Sequence, residues 1–365
     1  MAELPLRAIA WAETMAGHVG DGLVRAHHDP GGRLDLTAPV LREQREAAEA
    51  AQLVQGATLA RGAGDRVVPE QPDVERTCFQ RDRDRIVHST AFRRLAGKTQ
   101  VVVFPTDHQR TRLTHALEVA QVATSIARGV GANVNLAEAI ALGHDCGHGP
   151  GGHASEDAFD AFLPGGYDHG PWGADVVLVP LNLCAETLDG IRNHSWSRPT
   201  PATIEGEIVS WADRIAYCAH DLEDAIGAGI VAAADVPRVV VETCGGSRRE
   251  QLRTFVREVI ATVARAGSIG MGADVADSLA QLRAFNYERI YTRPESLAQS
   301  AAVVAVLQAL VTHYLEHPDL LPGGPAEGDP VHAAVSYVGG MTDRFAFGTA
   351  EQVLGWDPAR LPRQQ

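Results

Sequence analysis

Residues 141–157 read ALGHDCGHGPGGHASED, with three histidines, three acidic residues and five glycines in seventeen positions. Glycine this dense cannot continue a helix interior, where each one costs roughly 1 kcal/mol relative to alanine. The apolar-periodic stretch leading into it, NLAEAIALGHDCG, must therefore end at the glycines. A new helix, ASEDAFDAFL, opens beyond them with His153 or Ser155 near its start. Histidine this dense is not needed for a core, so His144, Asp145, His148, His153 and Glu156 point to chemistry held at a helix break.

Elsewhere the pattern is helical almost throughout. TRLTHALEVAQVATSIARGVG carries Leu113, Leu117, Val119 and Ile126 on an apolar side and ends at Gly129 or Gly131. TPATIEGEIVSWADRIAYCAHDLEDAIGAGI reads as one long helix beginning after Pro201. RDRDRIVHSTAFRRLAG keeps Ile86, Val87, Ala91, Phe92 and Leu95 near helical spacing, with Gly97 as C-cap. Further helices are expected around 40–55 and over 249–266, 272–284, 294–316 and 330–356. KTQVVVFP is the one short extended run, and no GxGxxG, GxxxxGK[ST] or internal repeat occurs. The expected fold class is all-α, a helical bundle with additional peripheral helices. Residues 1–75 are expected to be peripheral helices and loop, 76–230 the core, and 231–365 a C-terminal helical region packing on it. EHPDLLPGGPAEGDP forms a long connection within that last region.

The 365-residue chain has a formal net charge of −14, which argues against an obligatory nucleic-acid partner. No apolar run approaches the roughly 20 residues of a membrane span. MAELPLRAIAWAETMAGHVGDG lacks a charged-then-apolar signal layout, so no membrane partner and a cytoplasmic location are expected. Five scattered cysteines without a CxxC pair suit neither a disulfide framework nor a thiolate zinc site, and Cys146 reads as a small buried filler. Against the acidic background, nine basic residues between Arg76 and Arg112 face three acidic ones. Such a segment suits a compact anion or, where Arg81 to Arg85 alternate with aspartates, a salt-bridged helix face. Lys98 is the only lysine among 32 basic residues, a compact point charge that arginine does not copy.

Imidazole mixed with carboxylate suits a divalent transition metal, such as manganese, iron or zinc, better than magnesium. His144 and Asp145 are adjacent near a helix end, so two more ligands must come from elsewhere. His115 stands mid-helix without a packing reason. Asp213 stands among apolar neighbours, where a lone buried charge is very costly. His115, the His144-Asp145 pair and Asp213, spread over three helices, together make a candidate metal set.

These four residues resemble the metal motif of the HD-domain phosphohydrolases. More narrowly, the chain resembles the deoxynucleoside triphosphate triphosphohydrolases of the dGTPase-like branch. The likeness runs through FQRDRDRIVHSTAFRRLAGKTQV, DHQRTRLTHALEVAQVATSIA, LAEAIALGHDCGHGPGGHASEDAF, GGYDHG, LNLCAETLDGIRNH and EGEIVSWADRIAYCAHDLEDAI, and weakly through FNYERIYTRP. It implies an HD-domain helical bundle and hydrolysis of a deoxynucleoside triphosphate to deoxynucleoside and tripolyphosphate. It further implies one divalent ion held by His115, His144, Asp145 and Asp213, manganese first, with magnesium, iron, cobalt or zinc as alternatives. Arg112 is expected at the triphosphate, His148 over the phosphates, and His153 with Glu156 as an acid/base pair. His169 matches a further active-site histidine. Tyr217 and Asp221, one and two turns after Asp213, are expected at the deoxyribose, and Lys98 near phosphate or a neighbouring subunit. A homo-oligomer and a nucleotide effector are also implied.

The chain departs from the resemblance at Gly151, where an aromatic ring is usual, and at Gly170, where asparagine is usual. Loss of the ring is expected to loosen the loop carrying His153. The alternatives are an HD phosphohydrolase acting on a nucleoside monophosphate or signalling nucleotide, and a catalytically silent nucleotide-sensing helical protein. His27, His28, His313 and His317 are read as surface or packing residues and Trp211 as core; His194, in IRNHSW, could line the pocket, a reading weighed below the structural one.

Overall fold

The strongest helical segments pack on one another. In the computed structural model, which describes residues 4–29, 31–101, 109–322, 324 and 328–362, the centre is built from Arg112–Val130, Val134–Gly143 and Ile204–Gly227. The first ends at Gly131, whose φ of 77° is the left-handed cap glycine adopts without strain. A Cβ there would also sit 2.9 Å from Val54 Cγ1. Asn133 then caps the second helix by accepting from the Asn135 and Leu136 amides. Thr203 caps the long helix through the Gly206 amide. Val119, Ala123 and Ile126, Leu136 and Ile140, and Ile208 and Ile215 are fully buried where the three meet. Truncating any of the large ones, Ile140→Ala for example, would cost about 2–5 kcal/mol.

Cys78–His88 and Ala185–Asn193 pack on Val134–Gly143, and Arg248–Ala266 lies against Arg112–Val130 and Ile204–Gly227. A second apolar cluster forms where Pro294–Glu316 meets Ala154–Asp160, Pro330–Gly339 and Asp343–Leu354, around Phe159, Val303, Leu307, Leu310, Val335 and Phe347. Pro294–Glu316, at 23 residues, is long and apolar enough by length and composition to cross a membrane. This corrects the expectation that no apolar run approaches the length of a span. Its buried side chains, among them Val303, Leu307 and Leu310, pack into the second cluster.

The chain divides into two compact units, Met1–Val40 and Leu41–Gln365. The helices above belong to the second. The first carries the helix Leu6–Thr14 and a hairpin pairing His18–Gly20 with Leu23–Arg25. Asp21 and Gly22, at φ 54° and 73°, close the hairpin in the left-handed region that two-residue turns require.

Several expectations are corrected. The segment after Thr77 is not one helix, because Ser89 turns to extended backbone and caps Thr90–Arg94 by accepting from the Phe92 amide. Residues 330–356 form two helices parted at Gly340 to Thr342, where Thr342 caps the second. Of the valine run, residues 102–105 lie outside the described residues. The basic segment is mostly a salt-bridged surface: Arg81 and Arg85 pair with Glu70, and Arg76 with Asp73 and Asp84. Arg110 is held by Glu118, Glu223 and Asp224 at 2.7, 2.7 and 2.5 Å, so its charge is already matched by carboxylates.

Candidate active site

The break after Val134–Gly143 brings His144 and Asp145 against the first turn of Arg112–Val130, where His115 stands rather than mid-helix, and against the long helix at Asp213. His115 Nε2 lies 3.1 Å from Asp213 Oδ1. His144 Nε2 lies 3.4 Å from Asp145 Oδ1 and 3.7 Å from Asp213 Oδ1. The His144 tautomer follows from its other nitrogen: Nδ1 is 2.6 Å from the Ala141 carbonyl and must donate to it. Nε2 then presents a lone pair to two carboxylate oxygens, buried and without a hydrogen-bond partner. His115 Nδ1 is likewise buried and unpartnered. Lone pairs and carboxylates converging in a dry space repel unless a cation lies among them. Burial opposes charge on Asp145, yet Arg112 holds it well below the usual carboxylate range. Asp213 is also lowered, against burial, by its hydrogen bond with His115. Both carboxylates are ionised at neutral pH, as metal ligands must be.

Arg112 is 2% exposed and donates from Nη1 to Asp145 Oδ2 at 2.8 Å. Its Nε and Nη2 are buried against the Gly152 turn and have no hydrogen-bond partner among the described residues. Arg112 lines a cavity of about 450 Å³ that Asp145, His148, His153, His169 and Asp213 also line. An obligate cation beside a metal-type cluster at a cavity wall suits an anionic ligand.

A second group of imidazoles stands next to the first. His148 stacks on His169 with ring centroids 3.7 Å apart, and its Nε2 is 3.2 Å from Asp145 Oδ1. Burial and the nearby Arg112 push His148 well below the usual histidine value, so it is neutral. Glu156 bridges two rings, accepting from His153 Nδ1 at 2.8 Å and from His169 Nδ1 at 2.7 Å. The other nitrogen of His169 lies 3.1 Å from His194 Nε2. His194 donates Nδ1–H to the Ile191 carbonyl at 2.8 Å, which leaves Nε2 as acceptor. His169 must then donate from both nitrogens, making it an imidazolium. Burial opposes this charge, but Glu156 outweighs it and raises His169, while burial pushes His194 down to about 3.

The far end of the cavity is built differently. Tyr217 and Asp221 both line it. Arg283 donates to the Tyr217 hydroxyl at 2.9 Å, and Tyr291 donates to Asp221 at 2.6 Å. Burial raises Asp221 to about 7. Trp196 and Arg214 complete the wall, the guanidinium carbon lying 3.3 Å from the indole centroid.

The chain matches the HD domain over residues 112–218 and the phosphohydrolase-associated domain over residues 269–352. It is 38% identical over 317 residues to a deoxyguanosinetriphosphate triphosphohydrolase-like protein of Caldanaerobacter subterraneus subsp. tengcongensis, covering 84% of this chain and 93% of that protein. A like-named protein of Clostridium perfringens is also 38% identical, over 325 residues, covering 84% of this chain and 95% of that protein. This chain belongs to the deoxyguanosinetriphosphate triphosphohydrolase-like family of HD-domain phosphohydrolases. A solved structure of a hypothetical protein from Aquifex aeolicus is a more distant likeness, at 17% identity and a TM-score of 0.48 over 74% of this chain and 68% of that one.

As in HD domains generally, a divalent metal is expected at the His/Asp cluster, and the donors fit one: ligand atoms of His115, His144 and Asp145 lie within 4.8 Å of one another, as do those of His144, His194 and Asp213, and His144 Nε2, common to both groups, has no hydrogen-bond partner among the described residues. His115, His144, Asp145, His148, His153, Glu156, His169, Asp213, Tyr217 and Asp221 all come together, with Arg112, within one neighbourhood.

Lys98 does not join them. It is 3% exposed, and its ammonium donates to the carbonyls of His148 and of Gly339, the latter at 3.0 Å. Burial pushes it down to about 8. It ties backbone together rather than facing the cavity. Nor does Gly151 loosen its loop. At φ 74° a Cβ would meet Val303 Cγ1 at 2.4 Å, and its amide donates to Asp343 at 2.8 Å. Gly170 is equally confined, since a Cβ there would lie 2.9 Å from the Arg192 carbonyl.

Sequence reading undervalued His194, which lines the cavity and fixes the His169 tautomer. It also missed Trp196, Arg214, Arg283 and Tyr291. The available signal was FNYERIYTRP, whose π-helical turn Tyr287–Tyr291 places both tyrosines on the cavity.

Proposed function

We propose that this protein is a metal-dependent hydrolase that cleaves deoxynucleoside triphosphates to deoxynucleoside and tripolyphosphate. The observation that carries the reading is Arg112, a buried guanidinium that lines the cavity beside the His/Asp cluster and has two donors unpartnered among the described residues. The cavity is large enough for a nucleotide and offers hydroxyl and carboxyl groups at its other end. The names of the relatives support the same substrate class.

In this reading His115, His144, Asp145 and Asp213 hold one divalent ion, manganese first, with iron or zinc also suited to mixed imidazole and carboxylate donors. When bound, it supplies Lewis acidity toward a phosphate oxygen and toward water. Arg112 attracts the triphosphate by its charge, and the cationic His169 adds a second fixed charge where negative charge gathers. Water attacks the α-phosphorus, and the bond to the 5′-oxygen breaks. His153, oriented by Glu156, gives that oxygen its proton and then passes on the proton released by water. Tyr217, Asp221 and Tyr291 orient the deoxyribose. The protein would act in the cytoplasm, as a homo-oligomer.

Incubation with Mn²⁺ and each of the four dNTPs, with products resolved by anion exchange, tests this. Deoxynucleoside with tripolyphosphate, absent for Asp145→Ala, is expected. Release of monophosphate or inorganic phosphate instead would point to another nucleotide hydrolase, and no turnover of any dNTP would sink the reading.

A further inference from the structure

The residue that fixes the His153 loop comes from the other end of the chain. Asp343 opens the helix Asp343–Leu354 and is 4% exposed. Its Oδ1 accepts from the Gly151 amide at 2.8 Å. Its Oδ2 accepts from the Thr99 amide at 2.9 Å and from the Thr99 hydroxyl at 2.5 Å. One buried carboxylate thus gathers three donors from two segments that both line the cavity.

Those segments bear on the reactive groups. Gly151 and Gly152, at φ 74° and 64°, turn the chain so that His153 begins the next helix. A Cβ on Gly152 would lie 2.7 Å from Arg112 Nη2 and 3.0 Å from the Thr99 carbonyl, so the glycine turn, Thr99 and Arg112 are in close register. Ser155 ties Gly149 to Gly152 from within the loop, leaving the Gly151 amide to Asp343. The His153 side chain is 72% exposed and has Glu156 as its hydrogen-bond partner. Its placement therefore depends on the backbone beneath it.

We propose that Asp343 is a positioning residue for this active site: by holding Gly151 and Thr99 together, it sets where His153 stands over the cavity. The phosphohydrolase-associated region, which includes Asp343, thereby contributes a working part of the site. This rests on the reading of His153 and Glu156 as the proton-transfer pair.

Asp343→Asn keeps the shape but turns a donor toward one of two amides. Four proteins decide the matter: wild type, Asp343→Asn, His153→Ala and the double variant, all loaded with Mn²⁺. Asp343→Asn is expected to lower kcat about 10- to 100-fold, the cost of a small misplacement, with KM for the dNTP changed less than about threefold and metal content unchanged. In the His153→Ala background the same substitution is expected to cost nothing further. An equal loss in both backgrounds, or an undiminished kcat in folded Asp343→Asn, overturns the proposal. Amide exchange over residues 149–153 gives a readout independent of substrate, and Asp343→Asn is expected to speed it. Unchanged exchange overturns the anchor, whereas an inactive wild type with faster exchange in the variant overturns the substrate reading alone. Should Asp343→Asn fail to fold, Thr99→Val removes one of the three donors at constant volume. Its kcat is expected to fall about 2- to 10-fold, and an unchanged kcat overturns the proposal.

Discussion

The two ends of the cavity solve different problems. At one end His115, His144 and Asp145 are each about 2% exposed or less and are set by helices that pack on one another. At the other end Trp196, Arg214, Tyr217 and Arg283 are only partly covered and pair ring with guanidinium or hydroxyl with guanidinium. The first arrangement concentrates charge where water is excluded, and electrostatic interactions are strongest there. The second offers shape and hydrogen bonds that water partly screens. Substitutions at the first end should therefore act on the chemical step, and those at the second on binding.

The largest effect should come from Asp145→Ala. It removes one carboxylate of the cluster and leaves Arg112 buried without its partner. Loss of bound metal, measured by elemental analysis of the purified protein, should accompany a fall in kcat of about 10³-fold or more. Full metal content in the variant would separate Asp145 from the metal and undo the division between the two ends. Glu156→Gln comes next. It removes the charge that orients His153 and sustains the His169 cation, and should lower kcat about 10²-fold with metal retained. A rise in KM alone would move Glu156 into the binding class.

The difference between the ends also explains what could be read from the sequence. The metal end was legible because ionisable residues on apolar helical faces violate the ordinary rule of burial. His115 and Asp213 stand out for that reason, and the glycines after His144 mark the break that lets adjacent residues converge. At the other end Asp221 is the one such residue among those named, buried in the long helix, and it was read with Tyr217 from the resemblance. A tyrosine or arginine on a half-exposed helix is unremarked, and the π-helical turn that aims Tyr287 and Tyr291 is not announced by residue type. Lys98 was misread for a related reason. Its rarity suggested a ligand, but its partners are backbone carbonyls, one of them 241 residues away, and sequence patterns do not encode such contacts. The all-α class was secure, while the breaks at Ser89 and at Gly340 to Thr342 depended on caps that a continuous apolar period concealed.

Asp221 links the two ends through pH. Burial raises it to about 7, against the opposing hydrogen bond from Tyr291. From about pH 4 to 7 the folded protein holds a proton that the unfolded chain has released. Stability contributed by this group therefore falls as pH rises through that window and is lowest above it. Asp221→Asn keeps an acceptor for Tyr291 and removes the titration. The variant should gain on wild type by about 1–3 kcal/mol between pH 5 and pH 8 in denaturant unfolding. A gap that does not change with pH would mean that Asp221 is already ionised when buried, and that this end of the cavity carries more charge than its hydroxyls suggest.

The smallest effect tests the outer end most directly. Trp196 is 46% exposed, its indole N–H donates to the Ser210 carbonyl at 3.0 Å, and its edge meets Trp211 with centroids 4.7 Å apart. The ring is thus fixed, and Arg214 lies flat on it with a buried Nε that has no hydrogen-bond partner. Stacking of this kind is worth about 0.5–1 kcal/mol at an exposed site. Trp196→Ala would free Arg214 without touching the His/Asp cluster. KM for the dNTP should then rise about 2- to 5-fold while kcat and metal content stay as in wild type. A comparable fall in kcat at constant KM would mean that Arg214, next to Asp213 in the same helix, transmits its position to the metal end. Binding and chemistry would then be one mechanical unit despite their different construction.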